Sequence, residues 1–238
     1  MSRAPSFCGI ILAAGASSRM GRDKALLPWP PRSLAAPTRS YTSVLGRPLP
    51  SATPLDQTFL GAAISLLDAF ADMVIVIAGA NAAELTPVVD ARGQFLVANP
   101  RPERGQFSSL QVGVQEVLNR GRDAAIITLV DRPPVKPATL RLLRDAFCAA
   151  WERDKWAVVP QFQDKHGHPI ILGREMITKL LDAPATSTAR DVEHANQERI
   201  EYVPVEDPFV ALNVDSPEDY EKLCNDIDLS SAARADRR

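Results

Sequence analysis

The chain has 238 residues, roughly 1.6 times a 150-residue domain, so it holds one large domain or one domain with an appendage. Hydrophobic residues make up 45% and charged residues 24%, enough for a sizeable core, which excludes a disordered, collagenous or disulfide-scaffold chain. Lys plus Arg (27) nearly balance Asp plus Glu (29), giving a net charge of -2 and no global basic field to attract nucleic acid. Cys8, Cys148 and Cys224 are odd in number, far apart and without C-x-x-C pairing, as expected for small buried residues in a reducing cytoplasm rather than a thiolate zinc site. The apolar stretch before Gly15 is short, and no run of about 18 uncharged apolar residues follows, so neither a signal peptide nor a membrane span is expected.

In chain order, short continuous apolar runs predict strands at Gly9–Ala13, Met73–Ile77, Phe95–Val97 and Ala124–Val130. Runs without alternation indicate strands buried on both faces, as in a parallel sheet between helices. Helical stretches lie between and after them at about Leu55–Phe70, Ala82–Asp90, Ser108–Arg120 and Pro137–Trp151, the last with proline suited to a first turn. Strand then helix, four times over, predicts a single doubly wound α/β domain with a mostly parallel sheet over residues 7–229. Beyond residue 156 the pattern becomes strands at Ala157–Pro160, Pro169–Leu172 and Ile200–Val205, helices at Arg174–Leu181 and Thr188–His194, and a final helix from Pro217. These pieces have no second core of their own and are expected to extend the first sheet with a small antiparallel part. The tail Ser230–Arg238 is small and polar and is expected to fray.

In open α/β sheets ligands bind at the carboxyl ends of the strands. Here those ends are Ala14-Gly15, Gly79-Ala80-Asn81, Asn99-Pro100 and Asp131. The first continues as Leu12-Ala-Ala-Gly15-Ala-Ser-Ser-Arg19-Met-Gly21-Arg-Asp-Lys24. A loop leaving a buried strand with two glycines, two serines, Arg19 and Lys24 supplies backbone N–H donors and fixed positive charge, the ingredients of a polyphosphate cradle. It is neither a Walker A loop nor G-x-G-x-x-G. A plain strand-to-helix turn with two basic residues is the alternative.

This segment resembles the A-A-G-x-S-x-R-M-G-x-x-K signature of the MobA-like nucleotidyltransferases. The likeness continues in order through Asn99-Pro100 with Gly105-Gln106-Phe-Ser108-Ser109-Leu110, Asp131-Arg-Pro133, Gly167-His168-Pro169, and Asn213-Val-Asp215-Ser-Pro217-Glu-Asp219. The alanine-alanine-glycine is similar to the molybdenum cofactor cytidylyltransferase branch. The resemblance implies a Rossmann-like nucleotidyltransferase fold and transfer of NMP from an NTP, CTP favoured, to a small phosphorylated acceptor such as molybdopterin, with a molybdoenzyme as a possible downstream partner. It implies that Lys24 and Arg19 bind the triphosphate, Lys24 at the reacting phosphate. Leu12, Ala13, Ala14, Gly15, Ser17, Ser18, Gln106, Ser108 and Ser109 would hold the nucleotide. Gly167 and His168 would wall the acceptor pocket.

In-line displacement at the α-phosphorus requires alignment and charge neutralisation, and Mg2+ usually takes only one or two protein carboxylates. Asp131, ending the fourth strand, and Asp215, after the apolar run Phe209–Leu212, are the candidates. Each has a second reading: Asp131 as a turn residue before prolines, Asp215 as a helix N-cap, a role open to Ser216 as well. Ser108 has a capping alternative too, and His168 that of an ordinary turn histidine. A sugar- or polyol-phosphate nucleotidyltransferase and a noncatalytic cofactor-binding maturation protein are the competing functions.

Seven of the twenty prolines (Pro28, Pro30, Pro31, Pro37, Pro48, Pro50, Pro54) fall within residues 28–54, which depart from the compact family pattern. So does Pro184-Ala-Thr-Ser187-Thr-Ala-Arg190. The insert reads either as a lid over the acceptor or as a loop without catalytic role.

Overall fold

The computed structural model describes residues 4–15, 17, 20–31 and 54–235, the last eight by backbone alone. Most of the insert, Ala16, Ser18 and Arg19 therefore lie outside the described residues. Strand β1 (Phe7–Ala13) is buried throughout. It pairs in parallel with β2 (Met73–Ala78) on one side and β4 (Ala124–Leu129) on the other, and β2 pairs in parallel with β3 (Phe95–Ala98). Along β1, Phe7, Ile11 and Ala13 join one core while Cys8, Ile10 and Leu12 join the other. A strand buried on both faces has no room for polar alternation. Ile10, Ile11, Ile75 and Ile77 are fully buried, each worth about 1.5–3 kcal/mol of transfer free energy.

Helices α1 (Phe59–Asp68), α2 (Ala82–Asp90) and α4 (Pro137–Trp151) cover the first face, and α3 (Gln106–Asn119) covers the second. The expected helix from Leu55 is divided into a 3-10 turn, Leu55–Gln57, and α1. Thr58 separates them because its Oγ1 accepts from Gly61 N at 3.0 Å, the geometry of an N-cap. Buried Asp207 accepts from Lys136 N and Thr139 Oγ1, both at 2.8 Å, at the start of α4.

The second half extends this sheet. β7 (Ile170–Gly173) pairs antiparallel with β4, and β5 (Ala157–Phe162) pairs antiparallel with β7 and parallel with β8 (Ile200–Pro204). A short strand not expected from the sequence, β6 (Lys165–His166), pairs with β5 through a hairpin whose tip, Gln163 and Asp164, has positive φ at both residues. That is the turn two-residue hairpins prefer, but the signal is weak without asparagine-glycine. Helices α5 (Arg174–Asp182) and α6 (Ala189–Ala195) pack on the α3 face. The sheet is thus parallel around β1 with antiparallel strands beyond β4, as expected.

Helix α7 (Pro217–Ala235) runs into the segment expected to fray: its backbone is helical to Ala235, consistent with the strong helix propensity of the alanines there. Its first half builds a third cluster, in which Tyr220, Leu223 and Cys224 meet Met20, Leu27 and Phe59. This cluster seats the base of the proline-rich insert. Pro28 bridges to Thr58, Trp29 N donates to Gln57 O at 2.8 Å, Tyr220 Oη donates to Pro28 O at 3.0 Å, and Trp29 packs edge-on against Phe59. The two ends of the insert are therefore joined, as for a loop added to a closed domain.

Candidate active site

A cleft of about 950 Å³ opens at the carboxyl ends of the parallel strands, at the upper end of the size range of small-molecule sites. Among the residues that line it are Leu12 of β1 with Ala14, Gly15 and Ser17 after it, Asp23 and Lys24, Ala80 and Asn81 after β2, and Gly105, Gln106, Ser109 and Asp131. A side chain at Gly15 would meet no atom of the described residues within 4 Å, so that glycine leaves backbone open to a ligand. Ser17 is held at φ 47, an uncommon conformation for a residue with a side chain, and its Oγ accepts from Lys24 N at 3.1 Å. Gly79 is needed for packing: a Cβ there would lie 2.7 Å from Ala14 O.

Lys24 opens a 3-10 turn (Lys24–Leu26) and is buried, with its Nζ 2.7 Å from Asp215 Oδ1. Asp215 is brought to β4 by its neighbour, Val214 N donating to Asp131 O at 2.8 Å. Ser216, not Asp215, caps α7. Its Oγ accepts from Asp219 N at 3.2 Å, and Asp219 Oδ2 accepts from Ser216 N at 2.9 Å in return. Asp131 Oδ1 is buried and has no hydrogen-bond partner among the described residues. Burial pushes the Asp131 carboxyl above its usual range and the Asp215 charge adds to this, while Lys24 and Arg132 oppose it.

The other sequence candidates separate. Gln106 and Ser109 reach the cleft, whereas Ser108 turns inward. Asn99 Nδ2 donates to both serine hydroxyls at 2.9 Å, and Ser108 Oγ donates to Gly105 O at 2.7 Å, wiring the end of β3 to the first turn of α3. Ala13 is buried and meets the site only through its carbonyl, which Asn81 takes. Gly167 and His168 do not line this cleft. Gly167 is a packing residue, since a Cβ there would stand 1.9 Å from Val210 O. His168 N and Arg132 Nη1 both donate to that same oxygen, at 2.8 and 3.0 Å. Burial, and then the Arg132 charge, lower the His168 imidazole to about 3, so it is neutral. Asp23 was not singled out by the sequence, although an aspartate just ahead of a helical turn is an N-cap signal.

Residues 9–200 match the family model of the MobA-like NTP transferase domain. The chain belongs to that family. It is a nucleotidyltransferase, and Lys24 and Asp131 fall within the matched residues while Asp215 lies beyond them. This MobA-like transferase is 24% identical over 217 residues to the molybdenum cofactor cytidylyltransferase of Escherichia coli (strain K12), covering 89% of this chain and 92% of that one. The crystal structure of Rv0371c from Mycobacterium tuberculosis H37Rv superposes with a TM-score of 0.71 at 27% identity, over 94% of this chain and all of that one (100%). A manganese complex of Rv0371c shares the fold, with a TM-score of 0.66 at 24% identity over 92% of this chain and 98% of that one. Among the described residues, no helix is long and apolar enough to cross a membrane.

Proposed function

We propose that this transferase moves CMP from CTP to a small phosphorylated acceptor, molybdopterin cofactor in the first instance, and releases pyrophosphate. The observation that carries the reading is the buried Lys24 ammonium fixed on Asp215 at the wall of a cleft also lined by Asp131, whose Oδ1 has no hydrogen-bond partner among the described residues. The cytidine and molybdopterin preferences rest on the similarity to the Escherichia coli cytidylyltransferase.

An acceptor phosphate oxygen attacks the α-phosphorus, a new P–O bond forms, the α–β anhydride bond breaks, and the electron pair leaves on pyrophosphate. The acceptor is already anionic, so no general base is required. The chain must align the reactants and offset charge. Ala14, Gly15 and Ser17 line the phosphate end of the cleft, with Ser18 and Arg19 assigned there by the family pattern. Lys24 supplies a fixed positive charge at the reacting phosphate, and Gln106 and Ser109 bound the nucleotide on the far side.

The donor set fits a divalent cation: Asp131 Oδ1 is buried with no partner among the described residues, and Asp215 is drawn toward it through Val214. Among the described residues no cluster of three or more His, Cys, Asp or Glu side chains gathers as a metal site. That suits Mg2+, which takes few carboxylates and completes its shell with phosphate oxygens and water. Bound there, Mg2+ would offset the charge on the phosphates. A cytoplasmic setting is part of the reading, in keeping with three widely spaced cysteines that have no C-x-x-C pairing.

The test is a matrix of NTPs against acceptors, molybdopterin cofactor included, scored by acceptor-dependent pyrophosphate release with Mg2+. CTP with molybdopterin cofactor is expected to turn over fastest. A preference for GTP, or for a sugar or polyol phosphate, would replace the reading.

A further inference from the structure

Asn81 stands just beyond β2 with every polar atom of its amide engaged. Its Oδ1 accepts from Gly79 N at 3.0 Å, and its Nδ2 donates to Ala13 O at 2.9 Å and to Asp23 Oδ2 at 2.5 Å. This orientation is fixed by chemistry, because a flipped amide would set its oxygen against a carbonyl and a carboxylate. Asp23 in turn is the N-cap of the turn that carries Lys24, its Oδ1 accepting from Ala25 N at 2.9 Å. The ends of β1 and β2 are thus connected, through one amide and one carboxylate, to the residue immediately before Lys24.

We propose that Asn81, acting through Asp23, is a positioning residue for Lys24, latching the Lys24 turn to the two central strands so that its ammonium is in place before substrate binds. This rests on the reaction proposed above. Asp215 holds the ammonium itself and Phe59 N donates to Leu27 O at the end of the turn, while the tether on the Lys24 backbone, Ser17 Oγ to Lys24 N, comes from the cradle loop, which holds Ser17 in a strained conformation. The Asn81 latch instead refers Lys24 to buried strands. Transition-state stabilisation needs groups set to within about 0.5 Å, and a misplacement of about 1 Å can cost on the order of a hundredfold in rate.

Asn81 also lines the cleft, so direct contact with the nucleotide is the rival role, and the two differ in kinetics. For Asn81→Ala the latch predicts a fall in kcat of about ten- to hundredfold with KM for NTP within about threefold. A rise in KM at unchanged kcat would overturn it in favour of direct binding. Asp23→Ser separates latching from helix capping, since serine still caps the turn but cannot reach Asn81. Its kcat should fall as far as that of Asn81→Ala, and unchanged kcat in this variant overturns the latch even if Asn81→Ala fails to fold. The double variant should be within about twofold of the worse single one, whereas losses that multiply mean independent actions and overturn the proposal. Wild-type enzyme run alongside tells the two failures apart: no acceptor-dependent pyrophosphate release from the wild type sinks the reaction and the latch together, while an active wild type with indifferent variants sinks the latch alone.

Discussion

The Lys24 ammonium and the Asp215 carboxylate meet at 2.7 Å across 191 positions of sequence, with the lysine side chain nearly withdrawn from water. Taking a charge out of water is costly without a compensating group, and here that group, Asp215, sits next to the proposed metal carboxylate Asp131. A triphosphate entering the cleft would meet a lysine already oriented.

Lys24→Ala is expected to leave the fold intact by circular dichroism and to reduce pyrophosphate release by on the order of a hundredfold or more, the usual cost of removing a charge-assisted contact from a transition state. Retention of more than about a tenth of wild-type activity would remove Lys24 from the reaction.

Asp131→Asn keeps size but removes charge, and Mn2+ titration followed by electron paramagnetic resonance should show binding abolished or severely weakened. Because burial holds the Asp131 carboxyl above its ordinary range, metal affinity in the wild type should fall as pH drops through that raised value. Lys24 opposes the rise, so in Lys24→Ala the fall should begin at higher pH. Unchanged Mn2+ affinity in Asp131→Asn would exclude it as a ligand.

His168 is neutral in the fold, with its pKa lowered to about 3, whereas the unfolded chain takes up a proton near 6.5. Between those values the unfolded state binds more protons, so stability is full above 6.5 and declines as pH falls toward 3. At pH 5 the contribution is at most about 2 kcal/mol. Urea midpoints measured at pH 7 and pH 5 should differ more in the wild type than in His168→Gln; equal pH dependence in the two proteins would mean that the histidine titrates normally.

Gly167→Ala would force a methyl group onto Val210 O, and backbone cannot yield as a flexible side chain can. A loss of roughly 3 kcal/mol is expected, or about 6–12 °C in Tm for a chain this size. A change below about 2 °C would show that the turn adapts.

The parallel half of the sheet was legible because strands buried on both faces leave uninterrupted apolar runs, and the Ala82–Asp90 and Pro137–Trp151 helices have the bounds read from sequence. The cleft was legible in outline because carboxyl ends of parallel strands share an edge. Which of two adjacent serines faces that cleft was not, since Ser108 and Ser109 differ only in helical phase and both answer to Asn99. Gly167 and His168 were legible as a motif but not as a place: they cross over Val210, and nothing local to either segment announces that contact. Asp23 went unread because its partner, Asn81, is 58 residues away.

The long reach from Lys24 to Asp215 also orders events during synthesis. At about 5–20 residues per second, Asp215 leaves the ribosome's catalytic centre roughly 10 to 40 s after Lys24. For that interval a nascent chain can begin pairing β1, β2 and β4 while its lysine still lacks the carboxylate that receives it. A chain released before Asp215 would carry the cradle and Asp131 without this counter-charge, and under the proposed role of Lys24 its ammonium would have no carboxylate to hold it in place.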